Sequence, residues 1–179
     1  MSHTIPRLAP EIPLPPYAYV RGHYPHPTRD RAGHSFGNAP KFWAQPAPDR
    51  WEACRPYLYG IDLFNHGYFW EAHEVWEGLW HASGRKGRTA DFLKGLIALA
   101  AARLKLREGV ERGVRQHAAR AQALFYQVRR EFGPTGRRCL GLDPEVLARY
   151  ATELAAIRTM PISSQEARPF LLIPHPLAS

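Results

Sequence analysis

The sequence of 179 residues is poor in cysteine and methionine, with two of each, and it lacks long apolar runs. Cys54 and Cys139 have neither the number nor the spacing of a zinc site or a disulfide framework, so we expect two reduced thiols. No run approaches the roughly 18 apolar residues of a membrane span, and the N-terminus has no apolar signal-peptide segment. We therefore expect a cytoplasmic protein without a membrane partner.

Proline, in contrast, is abundant, and most of its 17 copies lie towards the two ends of the chain. Because proline lacks an amide N–H and disfavours helix at the preceding residue, we expect an irregular arm over residues 1–48 and an irregular tail over residues 159–179. The short apolar run at residues 170–173 predicts that part of the tail lies on the core as a strap. Aromatic residues predict the same for the arm: Tyr17, Tyr19, Tyr24, Phe36, Phe42 and Trp43.

Residues 49–158 show the period of amphipathic helices and are predicted to form one folded domain. The first predicted helix begins at Pro56 and stops at residues 65–67, and the second covers residues 68–81. The third is capped by Thr89 or Asp91 and ends at Gly109. The fourth runs from Val110 to Val128, before a stop at Gly133 and Pro134, and the fifth begins at Asp143 and Pro144. No convincing strand remains. The fold class is therefore all-α, a compact antiparallel bundle of about five helices between Pro-rich arms.

A weak internal repeat has an offset of 42 residues, with Gly67 and Gly109 in equivalent positions. Each glycine lies between two predicted helices and is followed by small or apolar residues at similar spacing. This arrangement is typical of tetratricopeptide-like helix pairs, which commonly bind peptides or partner proteins. Two units of this kind do not establish a repeat array.

The second predicted helix contains most of the residues that could bind a ligand or take part in a reaction. Its apolar side includes His73, while Glu71 and Glu74 lie broadly opposite and Glu77 lies at the border, one turn after His73. Carboxylates and an imidazole on adjacent turns suit a metal site or a general acid and base pair. The segment is not the HExxH motif of zinc proteases, because Glu77 occupies the place of the second histidine.

A metal site in the core of the bundle is one interpretation of these residues. His117 lies on the apolar stripe of the fourth helix, so His73, Glu77 and His117 converge if the helical hairpins pack face to face. The other residues of that stripe are Val110, Val114, Ala121, Leu124, Phe125 and Val128. The set of His73, Glu77 and His117 suits a divalent transition metal, zinc or iron, with bound water. The alternative is structural, with core histidines whose nitrogens are hydrogen-bonded to a carboxylate one turn away.

A polar groove is the other interpretation of this segment. We expect Trp76 and Trp80 to be core residues, whereas Trp70 lies off their stripe and suits a contact with the arm or with a partner. Lys94, Ala98, Ala101 and Lys105 share one side of the third helix, facing either the carboxylates or water. The candidate groove residues are His73, Glu74, Glu77, Glu71, Trp70 and Lys105.

The positive charge is concentrated between residues 85 and 138, a stretch with fourteen basic residues and four acidic ones. Five arginines of the fourth helix avoid its apolar stripe and could present a basic surface to nucleic-acid phosphates. No recognition helix, zinc finger or RNA-binding motif accompanies them. They are Arg112, Arg115, Arg120, Arg129 and Arg130.

Two linked motifs carry a family resemblance. The stretch FNHGYFWEAHEVWEGLW at residues 64–80 and the stretch GLIALAAARLKLREG at residues 95–109 resemble a family of small bacterial and archaeal proteins known as domain of unknown function 309. The resemblance covers residues 57–125 and implies a compact helical fold without an established activity. Where many members carry glutamine and histidine on the second motif, this chain has Ala98 and Lys105, which disfavours metal ligands from the third helix.

These observations lead to three hypotheses. The first is a non-catalytic binding module that takes a protein or small-molecule partner in the groove beside His73, Glu74 and Glu77. The second is a metal-dependent, hydrolase-like enzyme that uses His73, Glu77 and His117. The third is a nucleic-acid-binding protein that uses the basic fourth helix.

Overall fold

The computed structural model describes residues 5–38, 44, 46–132, 138–157 and 170–174. Its five helices are α1 (Arg55–Asn65), α2 (Phe69–Ala82), α3 (Arg88–Arg107), α4 (Glu111–Arg130) and α5 (Pro144–Ala156), preceded by a 3-10 turn at Trp51–Ala53. The residues that the structure describes include no strand, which confirms the predicted all-α class. None of the described helices combines the length and hydrophobicity needed to cross a membrane.

Each helix packs on the next one along the chain, and α3 also touches α5. α3 lies at the centre of this arrangement, because Leu93, Leu96 and Leu99 are fully buried and Ala98 and Ala102 are buried on other sides of the same helix. A helix that is apolar around most of its circumference must be surrounded by other elements. The bundle is therefore organised around α3.

The same three-residue turn joins α1 to α2 and α3 to α4, 42 residues apart. Gly67 and Gly109 occupy the left-handed region with φ of 84° and 69°. The residue after each glycine donates its N–H back into the preceding helix, from Tyr68 to the Leu63 carbonyl at 2.8 Å and from Val110 to the Lys105 carbonyl at 2.9 Å. These bonds satisfy carbonyls that a helix end would otherwise leave unpaired. The two helical hairpins thus have matching turns.

Helix ends follow the sequence predictions in part. The Asp143 side chain accepts a hydrogen bond from the Glu145 N–H at 2.8 Å, which confirms the predicted N-cap of α5. The predicted cap of the third helix is wrong, because Gly87 is the N-cap and Thr89 and Asp91 lie inside the first turn. The predicted stop at residues 133 and 134 lies outside the described residues, as do Phe42 and Trp43 of the arm.

The apolar stripe of α4 also differs from its prediction. Val114, Ala121, Phe125 and Val128 are buried, as expected. Ala118 is buried in addition, while His117 is half-buried and Val110 is exposed. The stripe faces slightly away from His117 because α4 must cover both α3 and α5.

A buried carboxylate of α1 holds the start of the N-terminal arm. Asp62 has no solvent exposure, and its two oxygens accept the N–H groups of Leu8 at 2.7 Å and Ala9 at 2.8 Å. The Arg7 guanidinium lies 3.4 Å from the same carboxylate. Because residues 5–38 form neither helix nor strand, these bonds replace the pairing that regular structure would provide.

Glu71 of α2 holds the arm further along. It lies opposite the His73 side of its helix, as the sequence predicts, but it is only 5% exposed because the arm covers it. Its Oε1 accepts the Tyr19 N–H at 2.9 Å and lies 3.1 Å from Nε2 of His34. The arm covers this side of α2, and Trp70 packs edge-on against Tyr19 and His26.

The described part of the tail, residues 170–174, lies in a cleft between the end of α1, the turn at residues 139–142 and α5. Leu172 is 1% exposed, and its N–H and carbonyl bond reciprocally with the Asn65 side-chain amide at 2.8 and 3.0 Å. The Phe170 ring stacks on Tyr150, with centroids 3.7 Å apart and planes within 6°. We call this place the C-terminal cleft.

A glycine allows α1 and α2 to pack closely. A Cβ at Gly60 would lie 2.3 Å from Nε1 of Trp76, whose ring is fully buried. Atoms of a rigid buried ring cannot move aside without disturbing the core. At Gly113, by contrast, an added Cβ would meet only the Lys105 side chain, at 2.9 Å from Cγ.

We expect Gly60→Ala to lower the free energy of unfolding by about 1 to 3 kcal/mol through overpacking against Trp76. Gly113→Ala is the matched control, because the flexible Lys105 side chain can move and alanine favours helix. The control should be neutral or slightly stabilising. Urea denaturation of both variants measures the difference, and equal stabilities would contradict the close packing of Trp76 on α1.

We expect Asp62→Asn to lower the free energy of unfolding by about 3 kcal/mol, because hydrogen bonds to a charged group contribute roughly 1.5 to 3 kcal/mol each. The arm should also become sensitive to limited proteolysis. Glu11→Gln is the control on the same arm, since the exposed Glu11 carboxylate pairs with Arg55 at the surface. It should cause little change, and an arm equally protected in Asp62→Asn would refute the anchoring role.

Candidate functional site

A pocket of about 210 Å³ lies where α2, α3 and α4 meet. We call it the central pocket. α2 contributes one histidine, one carboxylate and one indole, α3 contributes a lysine and small apolar residues, and α4 contributes a histidine and an arginine. The lining residues are His73, Glu77 and Trp80 from α2, Lys94, Ile97, Ala98 and Ala101 from α3, and His117 and Arg120 from α4.

Helical spacing places each wall of the central pocket. His73, Glu77 and Trp80 are separated by four and three residues, so they follow one another along one side of α2. Lys94, Ala98 and Ala101 do the same on α3. Small side chains at Ala98 and Ala101 leave room between the neighbouring helices, which is why a pocket forms here rather than closed packing.

His73, Glu74 and Glu77 form a compact group on α2. One ligand atom from each lies within 4.8 Å of the others, so the three could hold a metal ion together. Nδ1 of His73 lies 3.4 Å from Oε1 of Glu74 but makes no hydrogen bond with any described residue. Within the described part of the chain, His117 does not join this compact group, although it lines the same pocket.

The imidazole of His117 has an altered proton affinity. Partial burial lowers its pKa below the ordinary 6.5, and the positive charges of Lys105 and Arg120, with His73, lower the pKa further. His117 is therefore neutral at pH 7, with one nitrogen able to accept a hydrogen bond or bind a metal. Because the unfolded chain binds this proton more readily, the contribution of His117 to stability falls as pH drops below about 6.5.

Trp80 forms the aromatic edge of the central pocket. It is half-buried and packs on the core, whereas Trp76 is fully buried, so only Trp76 is the complete core residue that the sequence predicted. The Lys94 ammonium lies 5.8 Å and the Arg85 guanidinium 5.4 Å from the Trp80 ring centroid. Cations near an indole face are attracted by its negative surface. Trp80 thereby helps to position Lys94 at the pocket.

Three predicted groove residues lie elsewhere in the structure. Glu71 and Trp70 lie under the N-terminal arm. Glu71 is about 200° around the helix axis from His73 and therefore faces away from the pocket. Lys105 pairs with Glu108 of its own helix at 2.5 Å and not with the α2 carboxylates. The groove that the sequence predicted as one surface is therefore divided between an arm contact and the central pocket.

The five arginines of α4 do not form one free basic face. Arg115 pairs with Glu111, and Nε of Arg129 lies 3.7 Å from Glu145. Arg112, Arg120 and Arg130 are all exposed, and Arg120 also lines the central pocket. Arg120 was predicted as a surface charge and Lys94 as facing either the α2 carboxylates or water, and only the packing of α3 between α2 and α4 brings them together.

Comparison with known proteins identifies the segment that builds these walls. Residues 57–116 match the model of a family described as a domain of unknown function (DUF309). Residues 57–116 are therefore similar to this family. The matched residues include all of α2 and α3 and end just before His117, so the family segment supplies two walls of the central pocket. No curated protein and no solved structure matches the chain.

We expect an NMR titration to place the midpoint of the His117 ring below 6.5. Lys105→Gln should raise that midpoint, because it removes a nearby positive charge that opposes protonation. Arg112→Gln, an exposed change on the same helix, should leave it in place. A midpoint that is unchanged in Lys105→Gln would refute the electrostatic coupling between α3 and His117.

Proposed function

We propose that this helical bundle is a non-catalytic binding module whose central pocket holds a small anionic ligand. The observation that carries the proposal is the presence of Lys94 and Arg120 in the pocket wall. Among the residues that the structure describes, neither lies within ion-pair distance of a carboxylate. Cations that are not already paired in a concave site favour a negatively charged ligand group.

The remaining lining residues suit such a ligand. Ile97, Ala98 and Ala101 offer apolar surface to its body. Nδ1 of His73 and Nε1 of Trp80 are buried nitrogens without a hydrogen-bond partner in the described protein, and buried polar atoms normally have one. A ligand oxygen would reach either nitrogen only with a shift of the His73 or Trp80 side chain, because neither atom is accessible from the pocket.

Size limits the ligand further. The pocket volume of about 210 Å³ is smaller than the roughly 300 to 1,000 Å³ of sites for drug-sized molecules. Glu77 in the same wall disfavours a ligand that is negatively charged over its whole surface. The proposed ligand class is therefore a short organic acid with an apolar segment.

Succinate is a suitable probe for this proposal, with inorganic phosphate as a purely anionic comparison. Saturable succinate binding should raise the melting temperature of the protein, since about 100 times Kd adds about 2.7 kcal/mol of stability. The NMR signals of His73 and His117 should shift along the same saturation curve. Succinate should bind more tightly than phosphate because it also contacts the apolar floor.

Variants distinguish the central pocket from general surface charge. Lys94→Gln and Arg120→Gln should each weaken succinate binding about tenfold, the effect of about 1.4 kcal/mol. Arg112→Gln is the control, because it removes an equal charge from an exposed residue of α4 that does not line the pocket. An equal loss in Arg112→Gln, or no saturable shift of either histidine signal, would overturn the proposal.

A divalent transition metal is the second candidate for this site. It is favoured by the approach of ligand atoms from His73, Glu74 and Glu77 to within 4.8 Å. One imidazole and two carboxylates suit zinc or iron with water in the remaining positions. The neutral His117 in the same pocket could stabilise such bound water.

Titration of chelator-treated, untagged protein with Zn²⁺ tests the second candidate by calorimetry. One equivalent should bind, and His73→Asn and Glu77→Gln should each lower the affinity at least tenfold. His81→Asn is the control, because His81 is exposed on the same helix and bonds with Arg85. If His73→Asn and His81→Asn bind Zn²⁺ equally, the metal lies outside the central pocket.

A further inference from the structure

The C-terminal cleft recognises residues 170–174 through their main chain. The Asn65 amide donates to the Leu172 carbonyl and accepts from the Leu172 N–H, so one side chain satisfies both main-chain groups of one residue. A side-chain amide that bonds in this way substitutes for a neighbouring β-strand. Recognition of this type depends on an extended backbone and not on how the segment is connected to the domain.

Contacts of the segment with the cleft recur at every second residue, and Leu171 is half-buried between two of them. Phe170 stacks on Tyr150, Leu172 is buried in the core, and the Pro174 ring lies close to Gly141, where a Cβ would come within 2.9 Å of it. Ile173, between two of these contacts, is 62% exposed. Alternate side chains that enter pockets while the main chain is bonded are typical of bound extended peptides.

The connection between α5 and the segment is long enough for residues 170–174 to leave the cleft, so that a segment of another molecule can take their place. Residues 158–169 connect α5 to the segment, and about a dozen residues can span up to roughly 40 Å. The contacts made by residues 170–174 involve α1, the turn at residues 139–142 and α5, none of which depends on that connection. The segment therefore has the contacts of a tethered ligand.

We propose that the C-terminal cleft is a binding site for an extended peptide with the pattern aromatic–x–Leu–x–Pro, and that the same segment of a second copy of the chain can occupy it. In the monomer, residues 170–174 fill the cleft and compete with the second copy. A short tether gives an effective concentration in the millimolar range, so exchange between copies becomes favourable when the intramolecular contact is weakened. The proposal is independent of the ligand of the central pocket.

The test uses the full chain with its own segment weakened. Leu172→Asp places a charge at the buried position and should free the cleft, because an unpaired buried charge is strongly disfavoured. A fluorescent peptide spanning residues 168–176 should then bind saturably, with an affinity at least tenfold tighter than for the unchanged chain. Fluorescence anisotropy measures both affinities, and circular dichroism verifies that the variant is folded.

Two matched peptides test whether the cleft selects for leucine at the third position of the aromatic–x–Leu–x–Pro pattern. A peptide with Ile173→Asp should bind within about threefold of the parent peptide, because that position faces solvent. A peptide with Leu172→Asp should lose binding. Adding Asn65→Ala to the Leu172→Asp chain should weaken the parent peptide at least tenfold, since both main-chain hydrogen bonds are lost.

Exchange between copies has its own measurement. Chains with Asn65→Ala and chains with Leu172→Asp each lack one half of the contact, so mixing them should produce dimers by analytical ultracentrifugation that neither forms alone. Phe170→Ala is a milder substitute if Leu172→Asp does not fold. The proposal is overturned if folded variants bind no peptide, or if both tail variants unfold, because the segment is then an inseparable part of the core.

Discussion

The close approach of neighbouring helices to α3 is the constraint on which the rest of the structure depends. A Cβ at Gly95 would lie 2.6 Å from the Phe125 ring, so only a glycine lets α4 come this near. Ala98 and Ala101, one and two turns later, keep the gap narrow but leave the central pocket open. Small residues on α3 therefore determine both the packing of the bundle and the position of its site.

Polar side chains of the α1–α2 hairpin form hydrogen bonds with main-chain groups of the irregular segments at both ends of the described chain. Asp62 and Glu71 accept N–H groups of the arm, and Asn65 bonds both main-chain groups of Leu172. Proline-rich segments cannot form their own regular hydrogen-bond pattern, so a helix that carries them must provide it. This explains why buried polar residues are concentrated in an otherwise apolar hairpin.

Much of the fold could be predicted from the sequence, because helical periodicity and local capping depend on neighbouring residues. The Asp143 cap and the glycine turns are signals of this kind. The burial of Glu71 could not be predicted, since it depends on an arm that returns over α2 from about fifty residues earlier in the chain. The hydrophobic period of a helix describes the face that meets other helices and not the face that an irregular segment covers.

The candidate site shows the same division between local and long-range information. The spacing of His73 and Glu77 placed them on one side of α2, and their convergence with His117 required only the packing of hairpins. The shared pocket wall of Lys94 and Arg120 could not be predicted, because charges on two different helices come together only once α3 is packed between α2 and α4. Net charge alone indicated nucleic acid, whereas the pairing of Arg115 and Arg129 leaves less free positive surface than the composition suggests.

The order of synthesis gives the C-terminal cleft a further meaning. Asn65 and Tyr150, which form its walls, both precede residues 170–174 along the chain. α1 to α3 can fold well before residues 170–174 are made, but α5 ends at Ala156 and is still within the ribosomal tunnel when the segment is added. The cleft and the segment that fills it are therefore completed at nearly the same time, which gives each copy the first opportunity to close the cleft with its own segment.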